Sequence, residues 1–520
     1  MFLLRMMPSF IAFLTIVQLV FAQAPPEIEW AKCYGGSGPD YATCIKQTSD
    51  GGYIIAGYSA SVDGQVSNNH GDNDYWIVKI EPSGDIQWEN SYGGSNDDEA
   101  QSIDQTSDGG YIVAGYSNSN DGDVTENHGQ YDYWVIRLDS IGALIWQKSF
   151  GTSYSDFARS VQQTADGNFV VAGSLAKNGI KNFWILKLDD MGNEIWIQSF
   201  GGTNEDGAFA IEQSIDEGYI VAGDAVSTDG DVIGNHGAGD EWILKLDGNG
   251  AISWKKCYGG SSAEQAFAVK QASDGDYFVA GFSMSSDGDV SSNNGSHDYW
   301  ITKIDEDGNL LWQAPLGGSS IDVATSLAIL NDGGCIVSGY AASYDGDVHG
   351  NHNSNTSNDY WLIRFDSQGD TVWTKCLGGS NSEGAYSIQK TIDCGYIVAG
   401  YAYSNDGDVS GSQGGPDYWI VKLGCDYIGT FSVDLSTSIE IPPIYPNPVK
   451  DKIYVSLPAS TQEMDIYIFD FLGNRIHELT SFSEKVTQIN TGELPDGIYT
   501  LQILDRKTNM TEVRKFVKHR

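Results

Sequence analysis

The stretch from Ser102 to Gly151, SIDQTSDGGYIVAGYSNSNDGDVTENHGQYDYWVIRLDSIGALIWQKSFG, is written in some version seven times along the chain. Two tryptophans recur in each copy, and together they are all 14 of the protein. Trp76, Trp134, Trp184, Trp242, Trp300, Trp361 and Trp419 stand in D-Y-W-like contexts, spaced 58, 50, 58, 58, 61 and 58 residues apart. Trp30, Trp88, Trp146, Trp196, Trp254, Trp312 and Trp373 stand in I-x-W-like contexts with the same near-constant period. Self-similarity at a fixed period of this length means that each copy is one supersecondary unit, stable only when stacked on its neighbours.

Within a copy the pattern is that of strands throughout. SIDQT reads as a short first strand and Asp108-Gly109-Gly110 as a hairpin turn. Tyr111–Tyr116 is a continuous apolar strand that must be covered on both faces. A polar loop follows, then the strand Asp132–Leu138, a turn containing Gly142, and a last strand from Ala143 to Phe150. Helical periodicity is absent. Four strands per copy and seven copies predict an all-β, seven-bladed β-propeller.

The two ends of the array support a closed ring. Residues 27–36 hold only a fourth strand, and the last copy stops after its third, Asp417–Leu423. The first segment is therefore expected to complete the seventh sheet and remove an exposed edge. Pairing Ile80 with Ile86 across the turn would set Trp76 and Trp88 on one sheet face, where they would pack blade against blade.

The run D-x-x-G-x-x-x-W, as in Asp139 to Trp146, resembles the tryptophan-docking motif of quinoprotein dehydrogenase propellers; we read it as convergence on blade packing. The whole repeat, from Trp30 to Leu423, resembles the GG-Y-I-V-A-G … D-G-D-V … N-H-G … D-Y-W repeats of secreted Bacteroidetes propeller-like proteins. That resemblance implies a secreted or surface protein and brings no activity with it.

After Cys425 the repeat ends in a Ser/Thr-rich, then Pro-rich stretch that reads as a linker. Tyr445-Pro-Asn-Pro448, Phe469–Ile476, Leu494–Tyr499 and the terminal K-F-V-K resemble the type A C-terminal sorting domain of the type IX secretion system. This implies Sec export, outer-membrane translocation by the type IX machinery as partner, and delivery to the cell surface or the medium. Alternating strands there are expected to form a small Ig-like β-sandwich. Arg5, the apolar run Phe10–Ala22 and the small residues ending it read as a secretory signal, too short to span a bilayer. The expected organisation is thus a signal peptide over 1–22, a propeller over 23–425, a linker over 426–443 and a sorting domain over 444–520, with no transmembrane span in the mature protein.

The net charge is −41, and residues 441–520 balance at 10 basic against 10 acidic, so all of the excess lies before them. Such a surface repels phosphate backbones and excludes nucleic-acid binding. Seven cysteines leave at least one without a partner in the chain. Cys33, Cys257 and Cys376 hold equivalent positions in separate blades, too far apart to bridge, and read as small buried fillers.

The loop after the second strand carries the most chemistry. D-G-D-V recurs with Asp121 and Asp123, Asp229 and Asp231, Asp287 and Asp289, Asp345 and Asp347, and Asp406 and Asp408, with a weaker copy at Asp63. Paired carboxylates with nearby Asn oxygens suit calcium as a cofactor, although the spacing is not an EF-hand. The same residues are ordinary turn formers, which is the simpler reading. His70, His128 and His236 read as solvated loop residues rather than a metal ring. The repeats break symmetry in the third copy, which lacks the D-G-D-V loop, and in the fourth, which has Asp224 and Glu241 where tyrosines are usual. A carboxyl pair of this kind suits acid–base chemistry on a glycan, but no nucleophile elbow, phosphate loop or zincin motif accompanies it. The expected function is non-enzymatic binding of a glycan or protein, with a polysaccharide hydrolase or lyase and a calcium-stabilised adhesive scaffold as alternatives.

Overall fold

A computed structural model describes residues 24–352 and 357–426, and in the C-terminal region 450, 452–456, 464–469, 475–482, 486–492, 494–495, 497–505 and 511–518. The expected signal peptide, and all of the expected linker but Asp426, lie outside the described residues. Every named element among them is a β-strand.

Residues 28–423 form seven four-stranded antiparallel sheets, six of them built from consecutive strands. The first sheet is β2 (Asp40–Gln47), β3 (Tyr53–Ser59), β4 (Asp74–Ile80) and β5 (Ile86–Tyr92). The seventh joins β26 (Glu383–Lys390), β27 (Tyr396–Ala402) and β28 (Asp417–Leu423) to β1 (Ile28–Tyr34), so the N-terminal segment closes the ring as expected. First strands of neighbouring sheets touch one another all the way round, from β2 back to β26, and therefore line the axis. Their starts share one face of the ring with the loops that follow each second strand.

The middle strands are buried on both faces, which explains their continuous apolar runs. The two tryptophans of a blade, however, lie on opposite sheet faces, correcting the expectation. A β-bulge between Lys79 and Ile80 slips the register by one residue, so Trp88 stands opposite Lys79 instead of Val78. A one-residue slip moves a side chain to the other face. Trp76 thus packs on Tyr418 of the blade before, with centroids 4.6 Å apart, and Trp88 on Tyr111 of the blade after, at 5.9 Å. The same bulge recurs in each of the next five blades.

The D-x-x-G-x-x-x-W motif packs blades as inferred. Asp139 Oδ1 accepts from Ile141 N at 2.9 Å and Ala143 N at 2.8 Å, forming the turn. Trp146 donates to the Asp190 carbonyl in the next blade's turn and covers Gly192, whose φ is +76°. A Cβ there would sit 3.0 Å from the indole, a tight contact that, with the positive φ, favours glycine.

Cys394 and Cys425 form a disulfide that ties the end of the last blade to its own first turn. Cys33, Cys44, Cys257, Cys335 and Cys376 are free thiols. In the C-terminal region, β29 (Lys452–Ser456) pairs with β32 (Val486–Asn490). A four-stranded antiparallel sheet there runs in the order β31 (Arg475–Phe482), β30 (Met464–Phe469), β33 (Gly497–Asp505), β34 (Thr511–Lys518).

Candidate functional site at the channel mouth

The D-G-D-V residues fasten loops. Asp121 Oδ1 accepts from Ser95 N at 2.7 Å, and Asp229, Asp287, Asp345 and Asp406 accept in the same way from Thr203, Ser261, Ser319 and Ser380. Asp123, Asp231, Asp289, Asp347 and Asp408 accept from Gly93, Gly201, Gly259, Gly317 and Gly378 at 3.2–3.4 Å. Gly122, at φ +63°, makes the turn between them, and the Val124 that follows is buried. Each loop is thereby tied to the connection entering its own blade, and the ten carboxylates do not come together. His70, His128 and His236 each hold the first aspartate of their own third strand through Nδ1 at 2.6–2.7 Å. Among the described residues no three His, Cys, Asp or Glu side chains gather as a metal site requires.

What the ring does bring together is a collar of aromatic rings where the first strands begin. Tyr41 packs on Tyr58 at 5.3 Å and on Tyr401 at 5.0 Å, and its hydroxyl meets that of Tyr403 at 2.8 Å. Further round the ring, Tyr116 stands edge-on to Phe157 at 4.8 Å, and Phe209 to Phe267 at 5.1 Å. Phe267 continues to Phe282, and Phe282 to His297 at 4.7 Å. Most of these rings are only partly buried. They come from second positions of first strands, from bulged residues beside them and from the facing residues of second strands.

Polar groups are set among the rings. The Arg159 guanidinium lies 5.4, 5.6 and 5.9 Å from the centroids of Tyr116, Phe157 and Phe209, and donates to Gln101 Oε1 at 2.9 Å. Such stacking favours a cation held in place. Glu99 accepts from the Tyr116 hydroxyl, and burial raises its carboxyl above the ordinary range. Asp224 accepts from Gln265 Nε2 at 3.0 Å and is pushed up to about 6 by burial.

Asp224 and Glu241 are direct cross-strand partners. Asp224 is partly exposed beside Gln265, whereas Glu241 is fully buried, neither of its carboxyl oxygens has a hydrogen-bond partner in the structure, and burial holds it well above the usual carboxylate range. The repeat's shared pattern does not mark the collar, because its positions differ from blade to blade: Tyr41, Glu99, Phe157, Gly207, Gln265, Val323 and Gly384 are equivalent.

The fold and the tail define a class of protein, a β-propeller addressed for export. Residues 443–519 match the model of the secretion system C-terminal sorting domain. The chain carries a type IX sorting domain, which implies a Bacteroidetes origin, interaction with that secretion machinery, and export to the cell surface or extracellular space. Among the described residues no helix is long and apolar enough to cross a membrane.

A comparison with curated proteins finds no match. Similar solved structures include Sqt1 from Chaetomium thermophilum, 11% identical over 76% of this chain and 100% of that one, with a TM-score of 0.39. A puromycin hydrolase is 10% identical over 85% of this chain and 62% of its own, with a TM-score of 0.43. PorZ of Porphyromonas gingivalis, described as an essential bacterial surface component of the type-IX secretion system, is 11% identical over 92% and 81%, with a TM-score of 0.23. At these scores the likenesses carry no argument about what this chain does.

Proposed function

We propose that this secreted propeller is a non-enzymatic binding module whose ligand is a glycan held at the channel mouth. The observation that carries the reading is the collar itself: partly exposed aromatic rings interleaved with Arg159, Gln101, Gln265 and Asp224. Flat rings stack on the apolar faces of sugars while fixed polar groups read hydroxyls, the usual division of labour in a concave site. Propellers also present their variable positions on one rim, which suits recognition.

A hydrolase is the second reading, supported by the raised carboxyl of Asp224. Glycoside hydrolysis needs two carboxyl groups flanking the bond, and the burial of Glu241 weighs against that pair. A glycan array with the full chain tests the proposal. Selective binding that disappears in a Phe209→Ala, Phe267→Ala variant of unchanged melting temperature is the expected result. A blank array with folded protein overturns it in favour of a protein partner.

A further inference from the structure

We infer that the bound glycan is acidic, and that Arg159, with Lys181 beside it, receives a uronate carboxylate. This rests on the collar reading above and names the chemistry of its ligand. The six long loops that follow second strands hold thirteen carboxylates and no lysine or arginine in their sequence. Their field turns anions away from most of the rim. The third blade breaks that wall. There β11 (Phe169–Lys177) and β12 (Ile180–Leu188) are joined by Asn178 and Gly179 alone, both at positive φ (55° and 82°) as a tight hairpin turn requires.

The gap holds cations. Lys181 Nζ stands 5.1 Å from the Phe157 centroid, and Arg159 stacks on the same ring at 5.6 Å, so the two charges lie no farther apart than those distances combined. Among the described residues neither makes an ion pair. Elsewhere in the propeller the buried cations Lys79, Lys187 and Lys245 are matched by Asp50, Asp166 and Asp216. Glu99 is the carboxylate that Arg159 feels in the collar, and two cations sharing one ring beside a binding surface suit a ligand that brings further negative charge. The guanidinium gives one N–H to Gln101, and its remaining planar donors suit a carboxylate in bidentate geometry. The rings beneath would stack on the sugar that bears it. The chemistry is therefore that of a uronic-acid residue entering across the third blade.

Calorimetry on the full chain tests this with oligomers of galacturonate, glucuronate and mannuronate, each as the free acid and as the methyl ester. At least one acid is expected to bind about tenfold or more tighter than its ester, as one charge-assisted contact provides. Arg159→Gln should erase that ratio, costing the acid at least tenfold more affinity than it costs the ester, and Lys181→Gln should lower the acid's affinity severalfold. Equal binding of every acid and ester, or a preference that survives Arg159→Gln, overturns the inference. Neutral sugars bound without any acid preference would remove the uronate while leaving the collar; no sugar bound by folded protein would remove both. Should Arg159→Gln fail to fold, the acid–ester comparison on the unaltered chain decides.

Discussion

The Tyr418 hydroxyl donates a 2.8 Å hydrogen bond to the main-chain carbonyl of Trp76, joining the last blade to the first. The same bond runs from Tyr75 to Trp134, Tyr133 to Trp184, Tyr299 to Trp361 and Tyr360 to Trp419. Removing the hydroxyl strands a buried carbonyl. Tyr418→Phe should lower the unfolding free energy by about 1–3 kcal/mol, read by denaturant titration. A change below about 0.5 kcal/mol would mean that the closing junction is held by packing alone.

The fourth blade has Glu241 where these tyrosines stand, and other buried carboxyls share its fate. Burial pushes Asp98, Glu383 and Asp417 up to about 7, and Asp298 to about 6. Each binds its proton more tightly folded than unfolded, so its contribution is fully present below about pH 4 and is lost as pH rises through 6–7. Asp108, held at about 2 by Thr106 and Arg137, acts in the opposite sense and matters only in stronger acid. The melting temperature should therefore be higher at pH 5 than at pH 8, with a loss on the order of a few kcal/mol. Glu241→Gln should narrow that difference. A melt that is flat or rises with pH contradicts the assignment.

Gly115 offers a sharper steric test. A Cβ there would lie 2.0 Å from the Glu99 carbonyl oxygen and 2.7 Å from the Tyr75 hydroxyl. Gly115→Ala should cost about 1–3 kcal/mol or more by overpacking, whereas Gly109→Ala, with open space around it, should cost only its backbone strain at φ +87°. Equal losses would mean that the junction yields.

The loop aspartates separate two roles. If they serve as turn and loop fasteners, millimolar calcium and a chelator give the same melting curve, while Asp121→Ala lowers it measurably. A melt that falls in chelator, by an amount set by the free ion, restores calcium as a stabilising ligand.

Deleting 443–519 should abolish delivery to the cell surface in a host with the type IX system and leave the protein in the periplasm. Cell fractionation with an intact-cell protease digest reads the outcome; surface display by the truncated chain would place the signal elsewhere.

The seven blades and their closure were legible because Trp76 and Trp88 recur at fixed spacing and the two ends carry complementary half-repeats. The face on which Trp88 sits was not, since the bulge at Lys79 adds one residue without leaving a mark in the repeat. The Cys394–Cys425 bridge escaped because its cysteines have no counterparts in other copies. Asp224 and Glu241 stood out as departures from the repeat, but they face the same side of the sheet, and only the packing around each tells the part-exposed one from the buried one. Phe157, Arg159, Phe209 and Phe267 fell among positions that consensus discards, since stability keeps what the blades share and recognition uses what they do not.

The pairing of Ile28–Tyr34 with Asp417–Leu423 also sets an order in time. A chain threading from its N-terminus carries an unmated strand across almost the whole of its synthesis, and its partner emerges only about twenty residues before the sorting domain. The address for the outer membrane is translated after the last piece of the ring, so no molecule can carry the one without already possessing the means to complete the other.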